Sequence, residues 1–174
     1  PALVDAGFRV ATMDLRGHGD SDVTFDAFDD AALASDILAL TAHLGGSAVL
    51  GEIAEIMGAE HLLAARASNP AAARALIQII TRVEAEARAL GLDIRGTQPS
   101  PGNIRGGLTT IEEKSLGATH KGGERAALED VIPYAAQILR KGLTVMDTPG
   151  LDVESVTGMV GGGAQVVVFT TGLG

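Results

Sequence analysis

Short apolar segments alternate with helical stretches along the chain, and this alternation constrains the fold more than any other feature. Four segments are predicted to be buried strands, at residues 8–15, 47–50, 143–146 and 165–169. Helices are predicted at residues 29–44, in the later part of 52–67, and at 69–91, 124–141 and 153–159. Strands that alternate with helices build parallel sheets covered by helices. The sequence therefore predicts an α/β fold, with a mostly parallel but incomplete sheet and flanking helices in Rossmann-like layers.

The helix predicted at residues 69–91 has the clearest start and end signals. Asn69 is a good N-cap, Pro70 suits the first helical turn, and Gly91 supplies the stop. Apolar residues recur between them at helical spacing and form one stripe: Leu76, Ile77, Ile80, Val83, Ala87 and Leu90. Residues 124–141 carry a similar stripe, which predicts a second amphipathic helix.

The charge balance excludes several classes of partner. The chain has 13 Lys and Arg against 22 Asp and Glu, a net charge of −9, so it lacks the basic surface that nucleic-acid binding needs. Negative charge also opposes binding to anionic lipid. No stretch of roughly 18 uncharged apolar residues predicts a membrane span. The chain contains no Cys, which excludes disulfides and thiolate chemistry. We expect a cytoplasmic protein without nucleic-acid or membrane partners.

Residues 97–117 carry the densest functional signal. The segment combines prolines, glycines, an amide, hydroxyls, carboxylates and an amine. Glycines let backbone N–H groups approach a ligand closely, and the polar side chains are donors that a polyhydroxy acid needs. Residues 96–107 are predicted to form a loop and residues 111–115 a short helical turn. The composition favours a binding site over a purely structural loop.

A second cluster of polar residues lies just upstream. Glu52, Glu55 and Glu60 recur at spacings that a helix can gather, and His61 follows directly. Carboxylate and imidazole groups together suit a divalent first-row metal or a proton-transfer pair. A solvated acidic helix end is the alternative, and the residues alone favour it slightly.

From about residue 46 onwards, the chain resembles the altronate/galactarate dehydratase family of sugar-acid hydro-lyases. Several ordered motifs carry this resemblance, at residues 58–63, 99–103, 106–117, 121–123, 146–150, 157–158 and 169–172. The resemblance implies elimination of water from a hexonate or hexarate, which gives a 2-keto-3-deoxy acid. It also implies a divalent metal cofactor, Fe(II) or a similar ion.

The resemblance also implies which residues build the site. The catalytic candidates are Glu60 and His61, for metal binding or proton transfer, and Lys114, for charge stabilisation. Candidate substrate contacts are Ser100, Gly102, Asn103, Gly106, Gly107, Thr109, Thr110, Lys121, Thr170 and Thr171. Candidate metal ligands are Glu52, Glu55 and Glu113.

The chain departs from the family pattern at two positions and in its length. Ile53 stands where the family usually has Thr, and Leu173 stands where it usually has Arg. Loss of that Arg would remove a candidate carboxylate clamp. The family pattern also continues beyond the position of Gly174. We therefore expect a partial catalytic domain with doubtful activity.

Residues 1–46 resemble a different family, the α/β-hydrolases. Residues 8–21 look like an early strand of that fold followed by its glycine-rich loop. The nucleophile motif G-x-S-x-G occurs nowhere in the chain, which argues against an acyl-transfer triad. The sequence predicts a hydrolase-like segment at 1–46 joined, as in a fusion or chimera, to a partial dehydratase domain at 47–174.

Three functional hypotheses remain open. The first is a sugar-acid hydro-lyase of the altronate or galactarate class. The second is a catalytically inactive module that binds a sugar acid or a partner chain. The third, disfavoured by the missing nucleophile motif, is an α/β-hydrolase. The expected partner is a small-molecule sugar acid, and an incomplete sheet edge leaves a homo-oligomer open.

Overall fold

The computed structural model describes residues 2–5, 7, 11, 13–27, 30–51 and 53–167. Within these ranges, helices pack around a small parallel sheet. The elements in chain order are α1 (Ala2–Asp5), α2 (Asp30–His43), β1 (Ser47–Leu50), α3 (Ile53–Ile56), α4 (Glu60–Ala65), α5 (Pro70–Ala89), α6 (Ile94–Thr97), α7 (Pro101–Arg105), α8 (Ile111–His120), β2 (Leu128–Ile132), β3 (Gly142–Met146) and α9 (Asp152–Gly161).

The sheet has three parallel strands in the order β1-β3-β2. β1 pairs with β3 from Ser47 opposite Gly142 to Leu50 opposite Val145. β2 lies on the other side of β3, and its outer edge forms a single bridge between Leu128 and Ala67. Parallel neighbours require crossover connections. Helices α3 to α8 lie between β1 and β2 in the chain, whereas residues 133–141, which carry no helix, connect β2 to β3. The predicted α/β class with a mostly parallel sheet is confirmed.

The hydrophobic core lies between one face of the sheet and helices α3, α4, α5 and α8. It consists largely of buried aliphatic side chains, among them Ile53, Ile56, Leu63, Leu76, Ile80, Leu128, Leu143 and Val145. Each fully buried side chain of this size contributes about 1.5–3 kcal/mol. This aliphatic packing holds the four helices against the sheet. It therefore fixes where the ends of the strands lie relative to the helices.

Several local predictions are confirmed. The side chain of Asn69 accepts a hydrogen bond from the Ala72 N–H and caps α5, with Pro70 in the first turn. Leu76 and Ile80, two members of the predicted stripe, are buried in the core. The predictions for residues 29–44, 47–50, 143–146 and 153–159 correspond to α2, β1, β3 and α9.

The prediction of a helix at residues 124–141 is wrong. Leu128–Ile132 forms β2 instead, and residues 133–141 carry no helix. Pro133 lacks a backbone N–H and its ring clashes with a preceding helical carbonyl, so it opposes a continuous helix here. Ala135 also has a φ of +56°, which is outside the right-handed helical region. The apolar residues before Pro133 gain more by pairing along β3.

Three shorter predictions also need correction. The loop predicted at 96–107 contains α7 and the end of α6, and the turn predicted at 111–115 extends to the ten-residue helix α8. Ala11 and residues 13–15 form no strand, and the other positions of the predicted strand at 8–15 lie outside the described residues. Residues 165–167 are likewise not a strand, and positions 168 and 169 lie outside the described residues. A strand needs a neighbouring strand to pair with its backbone N–H and C=O groups. An apolar run is therefore not enough to form one.

Helix α2 packs directly on the sheet and on α8. Lys141, just before β3, donates a hydrogen bond to the carbonyl of Gly45. A Cβ added at Gly123 would lie 2.7 Å from Leu38 Cδ1, so α2 approaches the end of α8 closely. The predicted domain boundary near residue 46 stays a prediction. Among the helices that the structure describes, none is both long and apolar enough to cross a membrane.

Candidate active site

The carboxyl ends of β1 and β3 meet the start of α3 and the turn at 148–150. A Cβ added at Gly51 would lie 2.4 Å from Ser155 Oγ and 3.0 Å from Thr148 Oγ1. One added at Gly150 would lie 3.3 Å from the Cβ of Ala54. Ligands of open parallel sheets bind at this edge, because the loops there converge on one region. Reactive side chains near the carboxyl edge are therefore candidates for a functional site.

Lys114, on α8, contacts α3, the helix that follows the carboxyl end of β1. Its Nζ donates to Gln98 Oε1 at 2.8 Å and lies 3.3 Å from Glu55 Oε2. The side chain of Lys114 is only 17% exposed and that of Glu55 is 32% exposed. Three separate elements, α3, α6 with its C-cap, and α8, therefore bring one carboxylate, one amide and one ammonium together. We call these three residues the Lys114 cluster.

Glu60 belongs to a second ionic cluster nearby. Its Oε1 lies 2.9 Å from Arg95 Nη2, and Arg95 Nε lies 3.0 Å from Glu84 Oε1. Burial opposes ionisation of Glu60, but its own backbone N–H, Arg95 and the N–H of Gly58 hold the pKa of this carboxyl below its usual value. Both carboxylate oxygens accept hydrogen bonds. Glu60 is therefore a fixed anion and a weak proton acceptor.

Helix α6 connects the two clusters. Arg95, on α6, binds Glu60, and Gln98, the C-cap residue of the same helix, binds Lys114. The backbone N–H of Gln98 donates to the carbonyl of Ile94 at 3.1 Å, which closes the last turn. A displacement of this single turn would disturb both clusters at once.

The turn before α4 packs tightly against α8. Gly58 has a φ of +116°, and a Cβ there would lie 2.9 Å from Ser115 Oγ and 3.2 Å from the carbonyl oxygen of Ile111. The hydroxyl of Ser115 is fully buried and hydrogen bonds to the carbonyl of Met57. Glycine at this position therefore sets the distance between α3 and the helix that carries Lys114.

Three of the seven predicted substrate contacts in the 97–117 segment, Ser100, Asn103 and Thr110, act as helix caps through their side chains. Ser100 and Asn103 form a reciprocal capping box at the start of α7. Thr110 caps α8 by accepting from the Glu113 N–H. Glu113 in turn accepts from the N–H and hydroxyl of Thr109, which hold its pKa below the usual value. Their substrate-binding roles stay predictions.

The remaining predicted residues are spread over the fold. Gly102 lies in α7, with Gly106 and Gly107 directly after it, and His61 is exposed in the first turn of α4. Lys121 is the C-cap of α8, seven residues and therefore about 10 Å along the axis from Lys114. Thr170 and Thr171 lie outside the described residues.

The predicted metal ligands are not brought together by the part of the chain that the structure describes. Glu55 is paired with Lys114, Glu113 is bonded to Thr109, and Glu52 lies outside the described residues. Within those residues, no group of three His, Asp or Glu side chains could hold a metal ion. The metal cofactor stays a prediction from the family resemblance.

Sequence reasoning missed Gln98, Arg95 and Glu84 as parts of this region. Arg95 lies 35 positions from Glu60 in the chain, and Gln98 lies 16 positions from Lys114. No local spacing links such pairs. The available signal was the position of Gln98 immediately before the Pro99–Asn103 motif.

Known proteins share much of this sequence. The family model described as D-galactarate/Altronate dehydratase, C-terminal, matches residues 19–174. The chain belongs to this family. It is 38% identical over 130 residues to altronate dehydratase of Bacillus subtilis, which covers 75% of this chain and 26% of that protein. It is 35% identical over 141 residues to galactarate dehydratase (L-threo-forming) of Escherichia coli, which covers 81% of this chain and 26% of that protein.

A third relative carries a different name. The chain is 38% identical over 131 residues to (2R)-sulfolactate sulfo-lyase subunit beta of Chromohalobacter salexigens, which covers 75% of this chain and 34% of that protein. The chain thus spans about a quarter to a third of the length of these relatives. It is a sugar-acid dehydratase-related domain, and the family resemblance read from the motifs is confirmed.

Because Glu60 is paired with Arg95, we expect the free energy of unfolding to depend on pH in a specific way. A carboxyl whose pKa is lowered in the folded state stabilises the fold above its unfolded pKa, which is near 4.5, and this contribution disappears as the pH falls through the folded value. We expect Glu60→Gln to lower the free energy of unfolding by about 1–2 kcal/mol at pH 7. The difference from wild type should shrink steadily below about pH 4.5.

Urea unfolding at a series of pH values measures this difference. Glu86→Gln is the matched control, because Glu86 is 61% exposed and pairs with Arg82 on the surface of α5. It should change stability by less than about 0.5 kcal/mol. A Glu60→Gln effect that is the same at acid and neutral pH would show that ionisation of Glu60 does not stabilise the fold.

Proposed function

We propose that this chain forms a sugar-acid site of a hydro-lyase that dehydrates altronate or galactarate to a 2-keto-3-deoxy acid. The Lys114 cluster carries the proposal, because it places an ammonium beside a carboxylate of α3, the helix that follows the carboxyl end of the parallel strand β1. Family membership and the names of the relatives support the substrate class.

The reaction needs a base and a cation close together. The proton on the carbon next to a carboxylate is weakly acidic. Its removal leaves negative charge on the carboxylate oxygens. The Lys114 ammonium, largely shielded from water, stabilises that charge more strongly than an exposed cation would. Glu55 lies 3.3 Å from it and is partly exposed, so it can accept the proton. The protonated Glu55 carboxyl then returns this proton to the hydroxyl on the neighbouring carbon, so that the C–O bond breaks and water leaves. The enol that remains becomes the 2-keto acid by tautomerisation.

The two clusters have different tasks in this proposal. Glu60 is ionised and bonded through both oxygens, which supports a positioning role rather than proton transfer. Through Arg95 it holds α6, and α6 holds the amide beside Lys114. The sequence predicted Glu60 for metal binding or proton transfer and Glu55 as a metal ligand. This proposal instead assigns the proton transfer to Glu55.

Binding and turnover are tested on the same preparation. The chain is incubated anaerobically with Fe(II) and either galactarate or altronate, and 2-keto-3-deoxy acid formation and the melting temperature are followed. We expect product and a raised melting temperature, because a ligand that binds only the folded state stabilises it. The uncharged polyol galactitol should give neither. Binding without product would favour the inactive binding module, and no effect of either acid would contradict the proposal.

A further inference from the structure

We propose that Gln98 is a substrate-binding residue, whose side-chain amide donates a hydrogen bond to the carboxylate group that Lys114 attracts. This inference rests on the proposed function. It adds a residue that the motifs did not single out, and it names the part of the substrate that the residue recognises.

The orientation of the amide follows from its partner. An ammonium group has three N–H donors and no acceptor, so the Gln98 atom that lies 2.8 Å from Lys114 Nζ must be the oxygen. The amide nitrogen therefore points to the other side of the group, with two N–H donors. None of the hydrogen bonds among the described residues uses that nitrogen. The amide is oriented as a donor toward a further acceptor.

The backbone of Gln98 is fixed before any ligand arrives. Its N–H closes the last turn of α6, and Pro99 directly after it is buried. Arg95, on the same helix, is held by the carboxylates of Glu60 and Glu84. Side chains that are already ordered lose less conformational entropy when a ligand binds. The Gln98 amide is therefore positioned in advance.

The side chain of Gln98 carries no charge, and this suits an acidic ligand. Lys114 is already paired with the carboxylate of Glu55, so their charges balance. A glutamate at position 98 would satisfy Lys114 equally well but would give the cluster a net negative charge. That charge would repel a sugar-acid carboxylate. An amide holds the ammonium in place and also offers two donors to the anion.

Two substitutions separate binding from a purely structural role. Gln98→Glu keeps the acceptor for Lys114 and strengthens it, but removes both amide donors and adds a negative charge. If Gln98 only held Lys114 in place, this variant would lose affinity only through its added charge, and the loss would shrink at high salt. We expect its Kd, measured by isothermal titration calorimetry, to be about 30-fold higher or more. Gln98→Met, which loses donors and acceptor without adding charge, should raise the Kd by about 10-fold.

The matched control is Gln78→Glu, the same change at an exposed position of α5. It should leave the Kd within about two-fold of wild type. Circular dichroism melting of each variant checks the fold, and if Gln98→Glu does not fold, Gln98→Met decides. Wild-type binding with an unchanged Kd in the folded Gln98 variants would overturn this inference and leave the proposed function standing. Failure of wild type to bind galactarate or altronate would overturn both.

Discussion

Replacing Lys114 with methionine is expected to raise the Kd for galactarate by about 100-fold. The Lys114 side chain is only 17% exposed, so its ammonium attracts an anion more strongly than an exposed lysine would, against the repulsion from its partner Glu55. A hydrogen bond between charged groups contributes about 1.5–3 kcal/mol, and the site of Lys114 excludes much of the competing water. Methionine has a similar length and keeps the apolar contacts of the lysine stem.

The control for this variant uses another lysine of the same chain. Lys141 is exposed and lies at the amino edge of the sheet, where it donates to the carbonyl of Gly45. Lys141→Met removes the same charge, so it reports any effect of net charge alone. We expect it to change the Kd by less than about three-fold at moderate salt. Equal weakening by both variants would show that the attraction is long-range and that Lys114 does not contact the ligand.

Replacing Gly58 with alanine is expected to lower the free energy of unfolding by about 3–4 kcal/mol. Two effects combine at this position. The φ of +116° is unfavourable for any residue with a Cβ, and the added methyl group would press on Ser115 Oγ and on the Ile111 carbonyl oxygen. The Ile111 carbonyl belongs to the backbone, so it cannot move aside as a flexible side chain can. The variant should also weaken galactarate binding, because it moves α3 away from the helix that carries Lys114.

Gly107 provides a control that separates the two effects. Its φ of +108° is similar, but a Cβ there would meet no atom within 4 Å. Gly107→Ala therefore measures the backbone strain alone, which we expect to be about 1–2 kcal/mol. Urea unfolding of both variants gives the difference as the cost of the contact with α8. Equal losses of stability would show that Gly58 does not set the spacing between these elements.

The elements that the sequence predicted correctly are those with strong local signals. Asn69 and Pro70 mark the start of α5 independently of the rest of the chain. The apolar stripe of this helix then packs against the sheet. The segment 124–141 shows the limit of such reasoning. Its apolar residues fit helical spacing, but Pro133 interrupts the helix and β3 offers a partner for the residues before it. Strand pairing is a tertiary effect that a local period does not contain.

The residues of the candidate site also divide into those with a local sequence signal and those that depend on contacts between distant segments. Lys114 was predicted as a site residue because it lies in a motif of the family, and Glu55 because it lies near other carboxylates. Gln98 and Arg95 depend on contacts between segments that are far apart in the chain. Thr109, Thr110 and Glu113 illustrate the converse, because polar residues in a motif can serve the helix that carries the reactive group.

The central claim is that a sugar acid binds at the Lys114 cluster, and nuclear magnetic resonance tests it most directly. The ¹⁵N-labelled chain is titrated with galactarate while the side-chain amide of Gln98 and the backbone amides of Glu55 and Lys114 are followed. We predict saturable shifts at all three positions, with the Gln98 side-chain amide moving most, and no matching change near Lys141. Saturable shifts confined to other parts of the chain, or none at any galactarate concentration, would contradict the claim.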